Sequence, residues 1–307
     1  MGCLPPTESL KELLSAVASP RPFIVLGAGT SVPLVPATAQ IRDYVRRDFA
    51  ATGSWPAEPR TGGTLFNRVF GNFVLRSFED CLLLRNRGGL DLFVQKALTV
   101  PLSGPAPAQY RILRQASRGT TFFNYNLDSL ASFYLGRQFS VHTPHGSLDR
   151  EWTTSPYVMD YLNLSLDSSF PHLRPKVLPG PEPATITNSS SFMRARIPLA
   201  KASAVVMIGY SFALNPFGKL DDDESFEHFV DLQSRATCPI LVLDYRPISL
   251  IDRLRDRLKS NRVRLVQLRW DLFSSALMPL LGTAASIGDL RSDSGIRAIR
   301  ENYARLQ

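Results

Sequence analysis

The chain has 307 residues, of which 44% are apolar and 20% are charged, so it has the composition and length of a globular protein with a full hydrophobic core. This composition excludes the fibrous and intrinsically disordered classes. The net charge of +8 attracts polyanions in general, but much of it lies in Arg-rich segments over residues 253–259 and 291–305. We interpret these segments as solvated helix faces rather than as a direct nucleic-acid surface.

The cysteines and the hydropathy pattern indicate a soluble protein of a reducing compartment. Cys3, Cys81 and Cys238 are far apart and form no C-x-x-C pair, so we expect neither a disulfide framework nor zinc. The first residues, MGCLPPTESL, contain no basic region followed by an apolar stretch, and no apolar run reaches the roughly 20 residues that span a bilayer. We therefore expect a cytoplasmic protein with no membrane partner.

The first predicted elements are a helix, a strand and a glycine turn. Residues 8–18 place apolar side chains at helical spacing, and Pro20 and Pro22 end that pattern before a short apolar run over residues 23–26. This run predicts a buried strand, and it leads directly into the glycine turn, Gly-Ala-Gly-Thr-Ser, at residues 27–31. A strand followed by such a turn is typical of the start of a nucleotide-binding unit.

The middle of the chain changes character twice. From about residue 40 to 118, helical patterns alternate with breaks that contain Gly and Pro, which predicts a mostly helical module inserted between strands. Strands are predicted over residues 120–124 and 139–142, with a helix over residues 127–135 between them. A Pro-rich stretch over residues 152–191 has little periodicity and is predicted to wrap the site as loop and short helix.

The last third alternates apolar runs with helical patterns, which is typical of parallel strands buried on both faces. The predicted elements are strands over residues 204–208, 240–243 and 263–268, and helices over residues 226–234 and 248–258. We therefore predict an α/β fold with a Rossmann-like parallel sheet and helices on both faces. It occupies residues 1–280, and residues 281–307 form a C-terminal helical tail.

The glycine turn has a clear physical use. Free backbone N–H groups and a following helix N-terminus can receive a pyrophosphate with no side chain in the way. A structural loop is the alternative, since a bare G-x-G turn is common. The third glycine of the dehydrogenase pattern is missing, because residues 32–36 follow the turn instead, and this disfavours a dehydrogenase.

Polar residues also follow the two middle strands. Asn126 and Asp128 come directly after the strand over residues 120–124, at the carboxyl end where α/β sheets place ligands. The alternative is that one of them caps the next helix. His142 and His145 follow the next strand, and a histidine can accept a proton near neutral pH. A structural role better explains His142, and without a nearby Cys or third His a zinc pair is poorly supported.

Two further motifs follow strands in the last third. Gly209, Tyr210 and Ser211 come after the strand over residues 204–208, and Asp244 follows the strand ILVL. A carboxylate at that position can bind ribose hydroxyls, as the acidic residue of dinucleotide-binding folds does. It is also a common way to end a strand, so both interpretations stay open.

In this order, the glycine turn, Asn-Leu-Asp-Ser-Leu, His-Gly and Gly-Tyr-Ser-Phe resemble the sirtuin-like superfamily over roughly residues 20–275. The closest likeness is to its bacterial branch of NAD-degrading antiviral effectors. The resemblance implies that Asn126 and His145 are catalytic, with His145 as the base. The residues it assigns to NAD are Gly27, Ala28, Gly29, Thr30 and Ser31 at the diphosphate and nearby ribose, Asp128 on the nicotinamide side, Gly209, Tyr210 and Ser211 along the adenosine half, and Asp244 at the adenosine ribose.

The sequence departs from the family in two places. The usual T-T-N or T-Q-N is Asn124-Tyr125-Asn126 here, and the spacing N-x-D-x-L favours Asn126 over Asn124 as the catalytic asparagine. The deacetylases carry a zinc ribbon of paired cysteines between the histidine motif and G-T-S, and this chain has no such pairs. A platform for a protein substrate is therefore disfavoured.

The resemblance implies an NAD hydrolase that yields nicotinamide and ADP-ribose, or a cyclic product. It also implies a gated effector of antiphage defence, partnered by further copies of itself or by a separate sensor or ATPase chain. The C-terminal tail either takes part in that gating or packs on the domain. Two alternatives remain: a catalytically silent subunit that binds NAD or ADP-ribose, and a protein deacylase or ADP-ribosyltransferase.

Overall fold

The sequence folds around a six-stranded parallel sheet. The computed structural model describes residues 6–35, 105–126, 128–143, 196–210, 223–234, 236–244, 250–282, 284 and 286–307. The strands are β1 (Pro22–Leu26), β2 (Thr121–Asn124), β3 (Ser140–His142), β4 (Ala204–Ile208), β5 (Ile240–Asp244) and β6 (Val263–Gln267).

The strand order is β3-β2-β1-β4-β5-β6, and every neighbouring pair is parallel. The chain starts in the middle of the sheet, builds outward to β3, and then returns to the other side of β1 with β4. This is the order of doubly wound dinucleotide-binding folds. The predicted fold class, a Rossmann-like α/β sheet, is therefore confirmed.

Helices accompany the strands along the chain. They are α1 (Thr7–Val17), α2 (Ala28–Ser31), α3 (Ala108–Leu113), α4 (Leu130–Leu135), α5 (Asp223–Ser234), α6 (Leu250–Leu258), α7 (Trp270–Leu281) and α8 (Asp293–Leu306), with a 3₁₀ helix over Ile287–Arg291. Helix α3 belongs to the predicted helical module, most of which lies outside the described residues, as does the predicted loop over residues 152–191.

The sheet separates two hydrophobic clusters, one on each face. Along β1, Ile24 and Leu26 belong to the cluster that packs under α1, α3, α4, α7 and α8. Phe23 and Val25 belong to the other cluster, which packs under α5 and α6. Because helices cover both faces of the sheet, all residues of β1 and β4 and most of β5 are buried, whichever face their side chains point to. This explains the continuous apolar runs in the sequence.

Three predictions of secondary structure need correction, of which the first is that the helix predicted over residues 226–234 begins at Asp223. The helix predicted over residues 127–135 begins only at Leu130, because the Asp128 side chain accepts a hydrogen bond from the Leu130 N–H at 3.0 Å and holds a turn there. Helix α7 was absent from the predicted elements, although Trp270, Phe273 and Leu277 are buried and follow helical spacing.

The C-terminal tail packs on the domain. In α8, Ile296, Ile299 and Tyr303 are buried in the same cluster as α1 and α7. The Tyr303 hydroxyl accepts a hydrogen bond from the Arg269 N–H at 3.0 Å, and Lys11 forms an ion pair with Asp293 at 2.8 Å. Within the part of the chain that the structure describes, no helix is long and apolar enough to cross a membrane.

Candidate functional site

The sequence motifs meet at one edge of the sheet. Because all six strands are parallel, their carboxyl ends lie together, and Gly27, Tyr125 and Gly209 directly follow β1, β2 and β4. Strands β1 and β4 are neighbours in the sheet, although the chain between them first forms β2 and β3 on the other side of β1. A crevice forms at such a switch in strand order, and ligands of α/β sheets bind there.

The turn after β1 lies directly against the turn after β4. The Gly27 N–H donates to the Ile208 carbonyl at 2.9 Å, and the Gly29 N–H donates to the Gly209 carbonyl at 3.3 Å. The hydroxyl of Thr30, which is fully buried, also donates to the Ile208 carbonyl, at 3.1 Å. These bonds join the two halves of the sheet at the edge where a ligand is expected.

This packing changes the role expected for the glycine turn. The N–H groups of Gly27 and Gly29 already have protein acceptors, and so does the Thr30 hydroxyl. Ala28 is the exposed residue of the turn. The two glycines therefore allow the backbone after β1 to approach the backbone after β4. A diphosphate could contact only the part of the turn that stays accessible, around Ala28.

Ser31, Asn126 and Asp128 form a buried polar cluster at the same edge. The Ser31 hydroxyl donates to Asp128 Oδ2 at 2.8 Å and accepts from Asn126 Nδ2 at 3.2 Å. The serine lies 97 and 95 residues from these partners, and all three side chains are buried. The structure thus brings together two motifs that the sequence predicted separately.

Asn124 and Asn126 have different environments. The Asn124 side chain is fully buried and closes a turn, since its Oδ1 accepts from the Asn126 N–H at 3.2 Å and its Nδ2 donates to the Asn126 carbonyl at 3.4 Å. Asn124 therefore holds the backbone after β2, and the side chain of Asn126 enters the polar cluster.

A residue that the sequence did not indicate completes the cluster. Tyr110 of α3 is fully buried, its ring packs against that of Tyr134 at 5.5 Å, and its hydroxyl lies 3.0 Å from Ser31 Oγ. The preceding residue, Gln109, donates from Nε2 to the Val32 carbonyl at 3.0 Å. A tyrosine next to apolar residues such as Ile112 and Leu113 is usually a core residue, and the partner of its hydroxyl is 79 residues away, so no local pattern reveals this contact.

On the opposite face of the sheet, two tyrosines bridge the carboxyl end of β1. Tyr125, which follows β2, stacks on Tyr210, which follows β4, with ring centroids 3.9 Å apart and planes inclined by 12°. A side chain on Gly27 would meet the Tyr210 backbone, because an added Cβ would lie 2.6 Å from the Tyr210 Cα. The stack therefore depends on glycine in the turn.

Asp128 is a carboxyl group in a low-dielectric environment. Burial raises its pKa above the ordinary value, and the hydrogen bonds from the Ser31 hydroxyl and the Leu130 N–H oppose that shift. Burial likewise raises the pKa of Tyr110, and the negative charge of Asp128 adds to that increase. The tyrosine therefore remains a hydroxyl at neutral pH.

The raised pKa of Asp128 has a consequence for stability. Between the ordinary aspartate pKa and the raised folded value, the folded state binds more protons than the unfolded state, so this group's contribution to stability falls as pH rises. We expect the free energy of unfolding of the wild type, minus that of Asp128→Asn, to decrease across this window. Urea unfolding of both proteins at a series of pH values measures the difference. A difference that does not change with pH would contradict the shift.

Other predicted site residues lie further away or outside the described residues. Asp244 is half-buried at the end of β5, where its carbonyl accepts from the Leu268 N–H at 3.1 Å. His142 ends β3, with its ring centroid 6.5 Å from that of Phe123. His145 and Ser211 fall outside the described residues. Among those that the structure describes, no group of three or more His, Cys, Asp or Glu could hold a metal ion.

Comparisons with known proteins give little further guidance. No family model matches the chain, and no curated protein matches it either. A solved structure described as "Structural Basis for the Mechanism and Regulation of Sir2 Enzymes" aligns with 97% of this chain and 98% of that chain, at 15% sequence identity and a TM-score of 0.39. At these values the similarity identifies neither a family nor an activity.

Proposed function

We propose that this protein binds NAD at the carboxyl edge of its sheet and hydrolyses the bond between nicotinamide and ribose. The observation that carries the proposal is the buried cluster of Ser31, Asn126 and Asp128, which lies beside the switch in strand order of a dinucleotide-type sheet. The resemblance of the four motifs to the sirtuin-like superfamily supports the choice of NAD as the substrate.

The proposed reaction is a displacement at the ribose C1′ atom. A bond forms between C1′ and a water oxygen, and the bond from C1′ to the nicotinamide nitrogen breaks with its electron pair leaving on nicotinamide. This neutralises the pyridinium charge, so the leaving group needs little acid assistance. The main task of the protein is to aim the water and to accept its proton.

Asn126 is suited to aim that water. Its Nδ2 is held by Ser31, whereas none of the described residues donates a hydrogen bond to its carboxamide oxygen. A carboxamide oxygen accepts from water or from a ribose hydroxyl, and a fixed amide orients what it binds. His145 receives the proton of the water, and the products are nicotinamide, ADP-ribose and a proton.

The acceptor and the gating follow from the same proposal. Water is the acceptor of the ADP-ribosyl group, because the chain has no paired cysteines for the zinc ribbon that accompanies the protein-substrate platform of the deacetylases. An ungated enzyme of this kind would empty its own cell of NAD. Its activity is therefore controlled by assembly with further copies or by a separate sensor chain, in keeping with an antiphage effector.

The first test is the release of nicotinamide by Asn126→Ala. Removal of the amide leaves the water without its orienting group, and loss of such positioning costs about 10- to 100-fold in rate. The full chain is incubated with NAD at low and at raised protein concentration, the latter to favour assembly, and nicotinamide is followed by chromatography. Wild-type release that falls by this factor supports the proposed site.

Asn302→Ala is the matched control. Asn302 also donates one side-chain hydrogen bond, from Nδ2 to the Ala276 carbonyl at 3.0 Å, but it lies in α8, and this bond does not involve the polar cluster. We expect this variant to release nicotinamide at the wild-type rate. If both variants lose activity equally, the loss reflects folding, and if neither does, Asn126 has no role in the reaction. Wild-type protein that binds NAD without releasing nicotinamide would favour a silent binding subunit.

A further inference from the structure

The hydrogen-bonding capacity of the Ser31 hydroxyl is completely used. A serine hydroxyl has one proton to donate and two lone pairs that accept. The proton goes to Asp128 Oδ2, and Asn126 Nδ2 can only donate, so it occupies one lone pair. The remaining contact, with the Tyr110 hydroxyl at 3.0 Å, must therefore be one in which Tyr110 donates to Ser31.

This assignment removes Ser31 from direct contact with a ligand. Its side chain is 1% exposed and has no lone pair or proton left for a diphosphate or ribose. Ser31 instead fixes the Asn126 amide nitrogen and one oxygen of Asp128. Asn126, whose carboxamide oxygen is uncommitted among the described residues, is the group that can meet the substrate.

The Tyr110 hydroxyl is unexpected at its position in the core. Tyr110 is fully buried on the inner face of α3, where phenylalanine would fill the same space without placing a hydroxyl away from water. A buried hydroxyl contributes favourably only where it is hydrogen-bonded, and the bond that places it here is to Ser31. The hydroxyl thus links α3 to the polar cluster.

We propose that Tyr110 is a positioning residue, whose hydroxyl proton locks the Ser31 hydroxyl and so holds Asn126 in the orientation that the reaction requires. The inference rests on the proposed function, because it assigns to Tyr110 a part in that same site. Tyr110 touches no substrate. It acts through Ser31, and its removal leaves the Ser31 oxygen with a vacant lone pair and a looser hold on Asn126.

The test compares Tyr110→Phe with Tyr134→Phe in the full chain. Tyr134 is the buried ring partner of Tyr110, and its hydroxyl makes no bond to Ser31. One hydrogen bond corresponds to roughly a two- to tenfold change in rate. We expect kcat for nicotinamide release to fall by this factor in Tyr110→Phe, with KM for NAD unchanged, and Tyr134→Phe to keep both constants.

A double-mutant cycle with Ser31→Ala separates positioning from general damage. If Tyr110 acts through Ser31, Tyr110→Phe lowers kcat no further when Ser31→Ala is already present. An equal loss in both backgrounds, or a change in KM alone, would overturn the proposal. The same cycle on the unfolding equilibrium constant in urea needs no activity, and we expect coupling of roughly two- to tenfold. Absence of that coupling would overturn the hydrogen bond itself.

These readouts also distinguish failure of the inference from failure of the proposed function. Absence of nicotinamide release by the wild type, at low and at raised concentration, would overturn a hydrolase that is activated by its own assembly, whereas the unfolding cycle would still test the hydrogen bond between Tyr110 and Ser31. An active wild type with an unchanged kcat in Tyr110→Phe would overturn only the positioning role.

Discussion

We expect Gly209→Ala to destabilise the fold by about 2–5 kcal/mol, because it adds left-handed backbone strain to a steric clash. Gly209 has φ of 60°, and a Cβ there would lie 2.4 Å from the Gly29 Cα and 2.7 Å from the Gly29 nitrogen. Both are backbone atoms, which cannot move aside without separating β1 from β4. Thermal unfolding should show a Tm lowered by roughly 5–15 °C.

Gly282→Ala is the control for that prediction. Gly282 follows α7 with φ of −69°, which any residue adopts, and among the described residues beyond its chain neighbours an added Cβ would come no closer than 3.7 Å, to the Pro279 carbonyl oxygen. We expect its Tm to equal or slightly exceed that of the wild type, since alanine restricts the unfolded chain. If Gly209→Ala unfolds at the same temperature as Gly282→Ala, the two turns do not meet as the structure has them.

The sheet was predictable from the sequence because its central strands are buried on both faces. Such strands appear as continuous apolar runs, and the run over residues 204–208 coincides with β4. The ends of helices were harder to predict where a side chain, rather than a backbone carbonyl, accepts the hydrogen bond of a backbone N–H. Asp128 accepts from the Leu130 N–H and delays the start of α4, a competition that periodicity does not reveal.

The candidate site was predictable in its parts but not in its connections. The rule that polar residues at ligand sites gather at the carboxyl ends of parallel strands predicted the edge at which the structure has Asn126 and Asp128. It did not reveal that Ser31 joins them, nor that Tyr110 binds Ser31 from a helix 79 residues further along the chain. Contacts between residues so far apart depend on tertiary packing, which leaves no local pattern.

The glycine turn illustrates the same limit. Its two residues without side chains predicted space for a diphosphate beside free N–H groups. In the structure these N–H groups bind protein instead, since Gly27 and Gly29 pack against the backbone of Ile208 and Gly209 and donate hydrogen bonds to their carbonyls. Glycine in this turn is therefore required for joining the two halves of the sheet, whatever ligand binds beside it.

His145→Ala should lower the rate of nicotinamide release by about 10²- to 10⁴-fold, the usual contribution of a general base. His142 ends β3 in register with Phe123 of β2, and three residues beyond each lie His145 and Asn126. The two residues therefore follow neighbouring parallel strands at the same spacing in the sequence, and this supports the proposal that assigns both to one reaction. His142→Ala is the matched control and should keep its activity, because a structural role explains that histidine.

The pH profile of the rate distinguishes a general base from a structural residue. A general base gives the wild-type rate an acidic limb near the histidine pKa, and we expect this limb to disappear in His145→Ala. A limb that persists in His145→Ala but is lost in His142→Ala would transfer the role to His142.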